Sequence, residues 1–529
     1  MSAETSTITL TVDGKEVQVE KGTMLIEACK KAGSKVPHFC YHKDLSVAGN
    51  CRMCSVEVEK ARGMPISCAT PVANGMVVRT DTEQVKAHRA AILEFLLINH
   101  PIDCPICDQA GECKLQSYYM AHDRQDSRLD VDKVQYQKRM EVGPRVVLDQ
   151  DRCVECTRCI RFCDEVPKTG ELRMVNRGDR VAIATFPGTP LDNDYSVNVV
   201  DICPVGALTA RDFRFQVRAW FLQEAETICG GCARGCNVGM DYGWHPVVKD
   251  YDGKAYRVRP RWNPEVNKSW MCDFGREEYR KVNEKRILET TVGESTVKLQ
   301  DGVEQAAAAL KQASHALVIG SLSDTIEEMH ALTRLGAETL QGAEVIAVPT
   351  TPDGTDDDVL LRADKHANRM GARWARILAE RGELAARLEG LDAVLIHQAD
   401  ILAMDEDGTL RQALQKIPVR VMVFANSCKT TEDATHLLPG CSIIEKDGHQ
   451  ANFDGRLQRL FKGRHMPVLD GAAENLAVIS GLSGGLLPDD AHAVFDDAIR
   501  SIPELADLAW ASAGRHGVMP GSRAKGATV

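Results

Sequence analysis

Residues 151–167 read DRCVECTRCIRFCDEVP, and four cysteines stand in this short stretch with the spacing C-x2-C-x2-C-x3-C. A fifth cysteine follows at a distance, as Cys203 directly before Pro204. Four thiolates are what one iron–sulfur cluster needs, and closely spaced cysteines of this kind are typical of cluster ligands. We therefore expect a cluster-binding fold that uses four of these five cysteines.

A comparison with two-cluster bacterial ferredoxins decides which four. In those proteins, each run gives three ligands to one cluster and its last cysteine to the other. A second run ending at Cys203 would need cysteines where the chain has Asn193, Ser196 and Val199. The sequence thus predicts a free Cys163 and one [4Fe–4S] cluster in a bacterial-ferredoxin-like domain over residues 140–215. The chain has four such ligand sets, numbered here in chain order, and this one is the third, with Cys153, Cys156, Cys159 and Cys203 as its ligands.

The N-terminal residues 1–82 predict a small β-grasp domain of the [2Fe–2S] ferredoxin kind. Residues 8–20 alternate as a hairpin does, with Asp13-Gly14 as the turn. Residues 23–33 predict a helix that Gly33 ends, and residues 54–59 a further strand. One isolated cysteine, a close pair and a distant fourth give the first ligand set, and Gly49 and Asn50 suit a loop whose N–H groups face the sulfurs. This set is Cys40, Cys51, Cys54 and Cys68.

The second set contains a histidine and lies in a predicted domain over residues 83–122. Residues 82–100 predict a helix, with Val85, Ile92 and Leu96 on its apolar face, that ends before Pro101. Without the histidine at the helix end, the three following cysteines would be one ligand short. Neutral imidazole in place of a thiolate raises the potential of a cluster. The predicted [4Fe–4S] ligands are His100, Cys104, Cys107 and Cys113.

A fourth set has the spacing C-x2-C-x3-C-x35-C and lies in a predicted domain over residues 222–280. Glycines between its cysteines allow the backbone to wrap tightly around a cluster. Short strands with a turn at Asp252-Gly253 are expected between its third and fourth cysteines. This fourth set is also expected to bind a [4Fe–4S] cluster, and its ligands are Cys229, Cys232, Cys236 and Cys272.

Two other interpretations of the cysteines are open. Structural zinc could occupy any set, and it competes best at the fourth one. Disulfides are disfavoured because C-x2-C pairs are too close for a sensible framework and because residues 1–22 have no secretory signal. Cys29 falls outside the ligand pattern and is expected to be a small buried residue.

The composition excludes some functions and separates the two halves of the chain. The net charge is −11, with 64 basic and 75 acidic side chains interspersed over 529 residues, which argues against a nucleic-acid surface. No run approaches the ~18 apolar residues of a membrane helix. Residues 296–529 have only two of the 19 cysteines and predict an α/β region with a parallel sheet. Its strands are expected at 316–320, 343–348, 392–397 and 419–425, its first helix at 325–336, and a loose tail at 514–529.

Several strings of the N-terminal half resemble the large iron–sulfur subunit of NADH-quinone oxidoreductase, respiratory complex I, which is also called its G subunit. The order of the four ligand sets is similar, and the resemblance covers residues 5–290. The strings are HFCYHKDLSVAGNCRMC, NHPIDCPICDQAGECKLQ, CVECTRCIRFC, DICPVGALT and NPEVNKSWMCDFGR.

The C-terminal half resembles the molybdopterin oxidoreductase domain that this family carries in degenerate form. Residues 437–459, LLPGCSIIEKDGHQANFDGRLQR, are similar to a recurring signature of that domain. Catalytic relatives bind their metal through a cysteine or selenocysteine soon after the last cluster, whereas this chain has none between Cys272 and Cys428. The resemblance therefore implies a truncated α/β scaffold without a molybdenum or tungsten pterin.

The resemblance implies an electron relay without catalytic residues of its own, on the cytoplasmic side of the cell membrane and peripheral to it. Its partners would be an NADH-binding flavin (FMN) subunit, a thioredoxin-like [2Fe–2S] subunit, and ferredoxin-like and quinone-site subunits of the peripheral arm. It would take part in the translocase reaction without entering the membrane or binding nucleic acid. The alternative is the iron–sulfur subunit of an NAD-linked formate dehydrogenase or of a hydrogenase diaphorase.

Overall fold

The chain folds into two compact units, Met1–Trp220 and Phe221–Val529. None of the helices in the described ranges combines the length and the apolar character that a membrane crossing demands. The computed structural model describes residues 7–122, 126–178, 180–250, 253–464 and 471–521.

The first unit begins with a mixed four-stranded sheet of order β2-β1-β4-β3, with helix α1 (Leu25–Lys31) beside it. Strands β1 and β2 form the predicted hairpin, and both Asp13 and Gly14 have positive φ, as a two-residue hairpin turn requires. The parallel pairing of β1 with β4 and the packing of α1 give the expected β-grasp arrangement. The strands are β1 (Thr7–Val12), β2 (Lys15–Glu20), β3 (Glu57–Val58) and β4 (Val77–Arg79).

The rest of the first unit is made of short helices and two small antiparallel sheets, β5-β6-β9 and β7-β8. Its strands are β5 (Met140–Glu141), β6 (Val146–Leu148), β7 (Leu172–Val175), β8 (Ala182–Thr185) and β9 (Leu208–Ala210). Its helices are α2 (Glu83–Leu97), α3 (Lys114–His122), α4 (Arg158–Glu165) and α5 (Asn198–Ile202).

Helix α2 ends at Leu97, three residues earlier than expected. The Lys133 ammonium donates hydrogen bonds to the carbonyls of Leu97 (2.9 Å) and His100 (2.7 Å). The Leu97 carbonyl has no donor within the helix, because the residue four positions later is Pro101, which has no N–H group, and Lys133 satisfies that carbonyl instead. The buried face of α2 also differs from the expected one, since Val85, Arg89 and Leu93 are buried, whereas Ile92 and Leu96 are only half-buried.

The second unit contains a seven-stranded sheet of order β14-β13-β19-β18-β17-β15-β16. The four predicted strands are confirmed to within one residue at each end, and they pair in parallel. The strands of this sheet are β13 (Thr290–Val292), β14 (Ser295–Val297), β15 (Ala316–Gly320), β16 (Glu344–Ala347), β17 (Ala393–His397), β18 (Val419–Phe424) and β19 (His436–Pro439).

Helices cover both faces of this sheet, so that successive strand residues enter different cores. Val318 packs with α8 (Leu299–Gln312), α9 (Ile326–Arg334) and α13 (Asn475–Ser483), whereas its neighbours Leu317 and Ile319 pack with α11 (Leu384–Arg387) and α12 (Thr409–Gln415). This alternation explains why the strands are apolar throughout. The other helices of the second unit are α6 (Asp273–Arg276), α7 (Tyr279–Asn283), α10 (Arg369–Trp374) and α14 (Ala491–Ser501).

Two smaller antiparallel sheets complete the second unit. The first is β10 (Leu222–Ile228), β11 (Asn237–Gly243) and β12 (Ala255–Pro260), and the second is β20 (Gly448–Ala451) with β21 (Leu457–Leu460). Asp252 of the expected turn lies outside the described residues. The expectation of a loose tail is wrong for its first part, because Val518 exchanges two backbone hydrogen bonds of 2.8 Å with Leu457.

Candidate iron–sulfur centres

The structure brings the four cysteines of the first set together. The thiol of Cys40 forms hydrogen bonds with those of Cys51 and Cys68, and the thiol of Cys54 bonds that of Cys68. Cys40, Cys54 and Cys68 are at most 1 % exposed. Hydrogen bonds within the set shift the pKa values of its thiols in opposite directions, lowering those of Cys40 and Cys54 and raising those of Cys51 and Cys68. Thiols that share protons in this way suit a common metal group, because cysteine binds metals as the thiolate.

The loop before Cys51 has the backbone conformation that the sequence predicted. Gly49 adopts a φ of +64°, and the N–H groups of Asn50 and Cys51 donate hydrogen bonds to the Cys40 sulfur. Such donors stabilise negative charge on a ligand sulfur and tune the potential of a bound cluster. Cys29 is fully buried in the same core, as expected, and burial raises its pKa to about 12.

Three members of the second set line a cavity of about 610 Å³ in the first unit. His100, Cys104 and Cys113 line this cavity together with apolar side chains such as Leu97 and Leu115. Cys113 directly precedes α3, and the N–H groups of Leu115 and Gln116 donate hydrogen bonds to its sulfur. These two donors favour the thiolate, but burial is the larger effect and raises the pKa of the Cys113 thiol.

His100 has the properties of a neutral ligand. Burial lowers its pKa to about 4, so the imidazole is uncharged at neutral pH. Its Nδ1 atom is buried and has no hydrogen-bond partner among the described residues. A buried polar atom of this kind is costly unless something binds it. The donor set of one imidazole and three thiols fits an iron–sulfur cluster as well as it fits zinc.

The third set lies around the start of α4. Cys153, Cys156, Cys159 and Cys203 all line one small cavity. The loop turns sharply between them, because Glu155 and Thr157 both have positive φ values. The N–H group of Glu155 lies 3.4 Å from the Cys153 sulfur, and the N–H groups of residues 205, 207 and 208 donate hydrogen bonds to the Cys203 sulfur. The first and the last cysteine of the set thus both accept hydrogen bonds from backbone N–H groups.

Cys163 is fully buried one turn beyond Cys159 on α4. Its carbonyl accepts hydrogen bonds from the N–H groups of Thr169 (2.9 Å) and Gly170 (3.2 Å). Burial raises the pKa of its thiol to about 12. The side chain is therefore a protonated thiol at neutral pH.

The fourth set belongs to the second unit, and its four cysteines are 5–7 % exposed. The N–H group of Cys229 donates to the carbonyl of Cys236 (2.9 Å), which closes the loop that contains Cys232. Cys272 caps α6, with the N–H group of Gly275 3.4 Å from its sulfur. A Cβ atom on Gly275 would lie 2.8 Å from the Cys229 sulfur and 3.7 Å from that of Cys272. Only glycine at position 275 therefore leaves room for both thiols.

In the described part of the chain, no group of three or more His, Cys, Asp or Glu side chains has the arrangement of a single-ion site. Within the first, third and fourth sets, the thiols of each set nevertheless lie close enough to influence one another electrostatically. In the second set, the three cysteines interact with one another, and His100 shares the cavity with two of them.

Sequence reasoning missed the residues between the sets. A Cβ atom on Gly206 would lie 2.4 Å from the sulfur of Cys107, so the loop after Cys203 touches the second set. Arg152 is 4 % exposed at the same place and pairs with Asp103 (2.6 Å) and Asp149 (3.3 Å). A glycine shortly after a Cys-Pro pair was the available signal, since such a glycine often permits a close approach.

Three family models match separate stretches of the chain. A 2Fe-2S iron-sulfur cluster binding domain matches residues 5–83, and an NADH-ubiquinone oxidoreductase-G iron-sulfur binding region matches residues 89–128. The ferredoxin-like domain of NADH-quinone oxidoreductase subunit 3 matches residues 143–209. The first unit therefore contains iron–sulfur binding domains of both the two-iron and the ferredoxin-like kind.

Curated proteins match over about half of the chain. The G subunit of NADH-quinone oxidoreductase from Rickettsia bellii is 41% identical over 280 residues, which are 53% of this chain and 40% of that protein. The NADH-ubiquinone oxidoreductase 75 kDa subunit of Reclinomonas americana is 41% identical over 287 residues, with 54% and 40% covered. The matches thus span about two fifths of the length of these relatives.

A solved structure also matches, and its fold agreement is low. A crystal structure of an NAD+-reducing [NiFe]-hydrogenase in the H2-reduced state is 28% identical, with a TM-score of 0.37. The match covers 40% of this chain and 91% of that one. The sequence matches, by contrast, agree with one another: this chain resembles the G subunit of NADH-quinone oxidoreductase, and the family models locate the shared iron–sulfur domains within residues 5–209.

Proposed function

We propose that the chain is an electron-relay subunit of an NADH:quinone oxidoreductase, with no catalytic residue of its own. It would hold one [2Fe–2S] cluster on the first ligand set and a [4Fe–4S] cluster on each of the other three. We propose the domain bounds predicted from the sequence, namely 1–82, 83–122, 140–215, 222–280 and 296–529.

The observation that carries this proposal is that three ligand sets adjoin one another in the first unit. Arg161 on α4 donates to the carbonyl of Cys40 in the first set (2.5 Å) and to that of Cys156 in the third (3.3 Å). Gly206, three residues after Cys203 of the third set, touches Cys107 of the second. These contacts support a linear order in which the third set lies between the first and the second.

Such a row of sites suits electron transfer because each step is short. Iron–sulfur clusters, when bound, would take up and release single electrons. The chain's own residues surround the sites with buried thiols, exclude water from most of them and direct backbone N–H groups at the sulfurs. At the second set, the neutral His100 would remove one negative charge from the ligand shell.

The named relatives support the remaining parts of the proposal. We propose that electrons come from NADH through a flavin (FMN) subunit and leave for ferredoxin-like and quinone-site subunits, with a thioredoxin-like [2Fe–2S] subunit in the same assembly. The assembly would place this chain at the cytoplasmic face of the cell membrane as a peripheral part of a translocase. The names of the matched proteins support an assembly that acts on NADH and a quinone, and the individual partner subunits are part of our proposal.

For the second unit, we propose a scaffold related to molybdopterin oxidoreductases that binds no molybdenum or tungsten pterin. The support for this proposal lies in the sequence. The chain has no cysteine between Cys272 and Cys428, where the resemblance would place the metal ligand of a catalytic relative.

The direct test is anaerobic purification of the full chain with its assembly. We expect a brown protein in which this chain accounts for about fourteen irons, matched by acid-labile sulfide, beyond those of its cluster-bearing partners, and EPR signals of reduced clusters after NADH is added. A colourless protein with stoichiometric zinc would overturn the cluster proposal. If dithionite reduces the clusters and NADH does not, the proposed role in NADH oxidation would be wrong, whereas the cluster proposal would stand.

We expect His100→Cys to keep a cluster in the second set and to lower its potential. A thiolate adds negative charge where the neutral imidazole stood, and that charge disfavours the reduced state. Redox-monitored EPR of the second-set signal measures the change. An unchanged potential in a protein that still shows the signal would mean that His100 is no ligand.

We expect Cys163→Ala to leave the EPR signals of all four clusters intact. The thiol is buried, and it does not line the cavity that the four other cysteines of the third set line. Loss of a buried sulfur should cost on the order of 1 kcal/mol in stability, which thermal unfolding would detect. Loss of the third-set signal would instead make Cys163 a ligand.

A further inference from the structure

Helix α4 places two arginines between the first and third ligand sets. Arg158 is 3 % exposed, and it donates to the carbonyls of Ile202 (3.0 Å) and Tyr41. Arg161 donates to the carbonyls of Cys40, Ser46 and Cys156. Each guanidinium therefore donates both to the loop that follows Cys40 and to a backbone carbonyl within or next to the third set. We call Arg158 and Arg161 the arginine pair.

The bonds of the arginine pair end on the ligands themselves or on residues next to them. Cys40 and Cys156 are predicted ligands, Tyr41 follows Cys40, and Ile202 precedes Cys203. A guanidinium has a planar fork of donors, so it fixes two carbonyls at a defined spacing better than a flexible ammonium does. Two further hydrogen bonds join the same loops, from Asn50 to the Glu155 carbonyl (3.0 Å) and from the Ser46 N–H to Glu165 (2.9 Å).

The electrostatic surroundings of Arg158 differ from those of Arg152. Arg152, between the third and second sets, forms ion pairs with two aspartates. The strongest electrostatic neighbours of Arg158 are the thiols of Cys156 and Cys203. Its Nε atom is buried without a hydrogen-bond partner in the described part of the chain. A buried cation of this kind needs a counter-charge, and cluster-bound thiolates at the third set would supply it.

We propose that the arginine pair sets the spacing of the first and third clusters and raises the reduction potential of the third. This inference rests on the proposed function, because it takes the two ligand sets to hold clusters. The Arg158 charge stabilises the additional negative charge of a reduced cluster and so raises its potential. The Arg161 guanidinium holds the backbone of Cys40 against that of Cys156 and so fixes how far an electron moves between them.

The test uses the full chain in its assembly, with redox-monitored EPR. For Arg158→Gln we expect the ratio of reduced to oxidised third cluster at a fixed potential to fall about tenfold, which is 59 mV for a one-electron couple. Arg158→Lys keeps the charge and should produce a smaller shift. Arg173→Gln is the matched control, because Arg173 pairs with Asp164 on an exposed surface of the same unit and should change nothing.

A second measurement tests the spacing. We expect Arg161→Gln to weaken the magnetic interaction between the reduced first and third clusters, while both signals persist. Third-cluster potentials equal to those of the parent protein in Arg158→Gln, or an unchanged interaction in Arg161→Gln, would overturn the inference. Failure of the proposed function would look different, because the parent protein would then lack the cluster signals or would not be reduced by NADH. If Arg158→Gln does not assemble, Arg158→Lys and Arg161→Gln still decide the question.

Discussion

Replacement of Cys203 by serine should stop electron transfer between the first and second clusters. Cys203 is the distant cysteine of the third set and its proposed fourth ligand, and the third set adjoins both others through Arg161 and Gly206. With that cluster lost, electrons supplied by NADH should reduce only the cluster on the side where they enter. Freeze-quench EPR should show one of the two remaining signals of the first unit developing as in the parent protein and the other falling to background.

The matched control is Cys272→Ser, which removes a ligand of the same kind from the fourth set. That set lies in the second compact unit. We expect loss of its signal alone, with transfer through the first unit unchanged. Normal transfer in Cys203→Ser, with its [4Fe–4S] signal gone, would contradict the linear order of sites. Arrested transfer in Cys272→Ser would place the fourth cluster on the path.

Local patterns in the sequence predicted the elements well where local physics decides them. The Asp13-Gly14 turn needs positive φ at both positions, and the structure has it. The parallel strands are apolar runs bounded by polar residues, and the structure confirms β15 with the predicted bounds. The closely spaced cysteines of each set also lie together in the structure, and their role as cluster ligands stays a prediction.

Long-range contacts could not be predicted from these patterns. The carbonyl of Leu97 at the end of α2 accepts a hydrogen bond from Lys133, which lies more than thirty residues later in the chain. The tail is not loose over its first residues because Val518 pairs with Leu457, where the composition predicted only flexibility. The order of the sets depends on Arg161 reaching a carbonyl 121 residues away. Each of these bonds joins residues whose sequence neighbourhoods carry no sign of the partner.

Gly206→Ala should disrupt the second cluster while the third remains. The added Cβ atom would stand 2.4 Å from the Cys107 sulfur and 3.1 Å from the Gln109 Cβ atom. Cys107 has little freedom to move, because its N–H group bonds the Cys104 carbonyl (3.1 Å) and its own carbonyl accepts from Arg218 (2.7 Å). Overpacking of this kind costs about 1–3 kcal/mol. We expect the EPR signal of the second set to be lost or strongly changed, with a lower unfolding temperature.

Two further glycines make this prediction specific. Gly382→Ala adds the same methyl group where nothing lies within 4 Å, so it should preserve every signal. Gly275→Ala places its Cβ atom 2.8 Å from the Cys229 sulfur, so it should affect the fourth set alone. If Gly206→Ala keeps the native second-set signal, Cys107 is not held against the loop of the third set. If it removes the third-set signal instead, the loop and not Cys107 yields to the methyl group. Selective loss at the second set would show that the missing side chain at position 206 allows the two sites to adjoin.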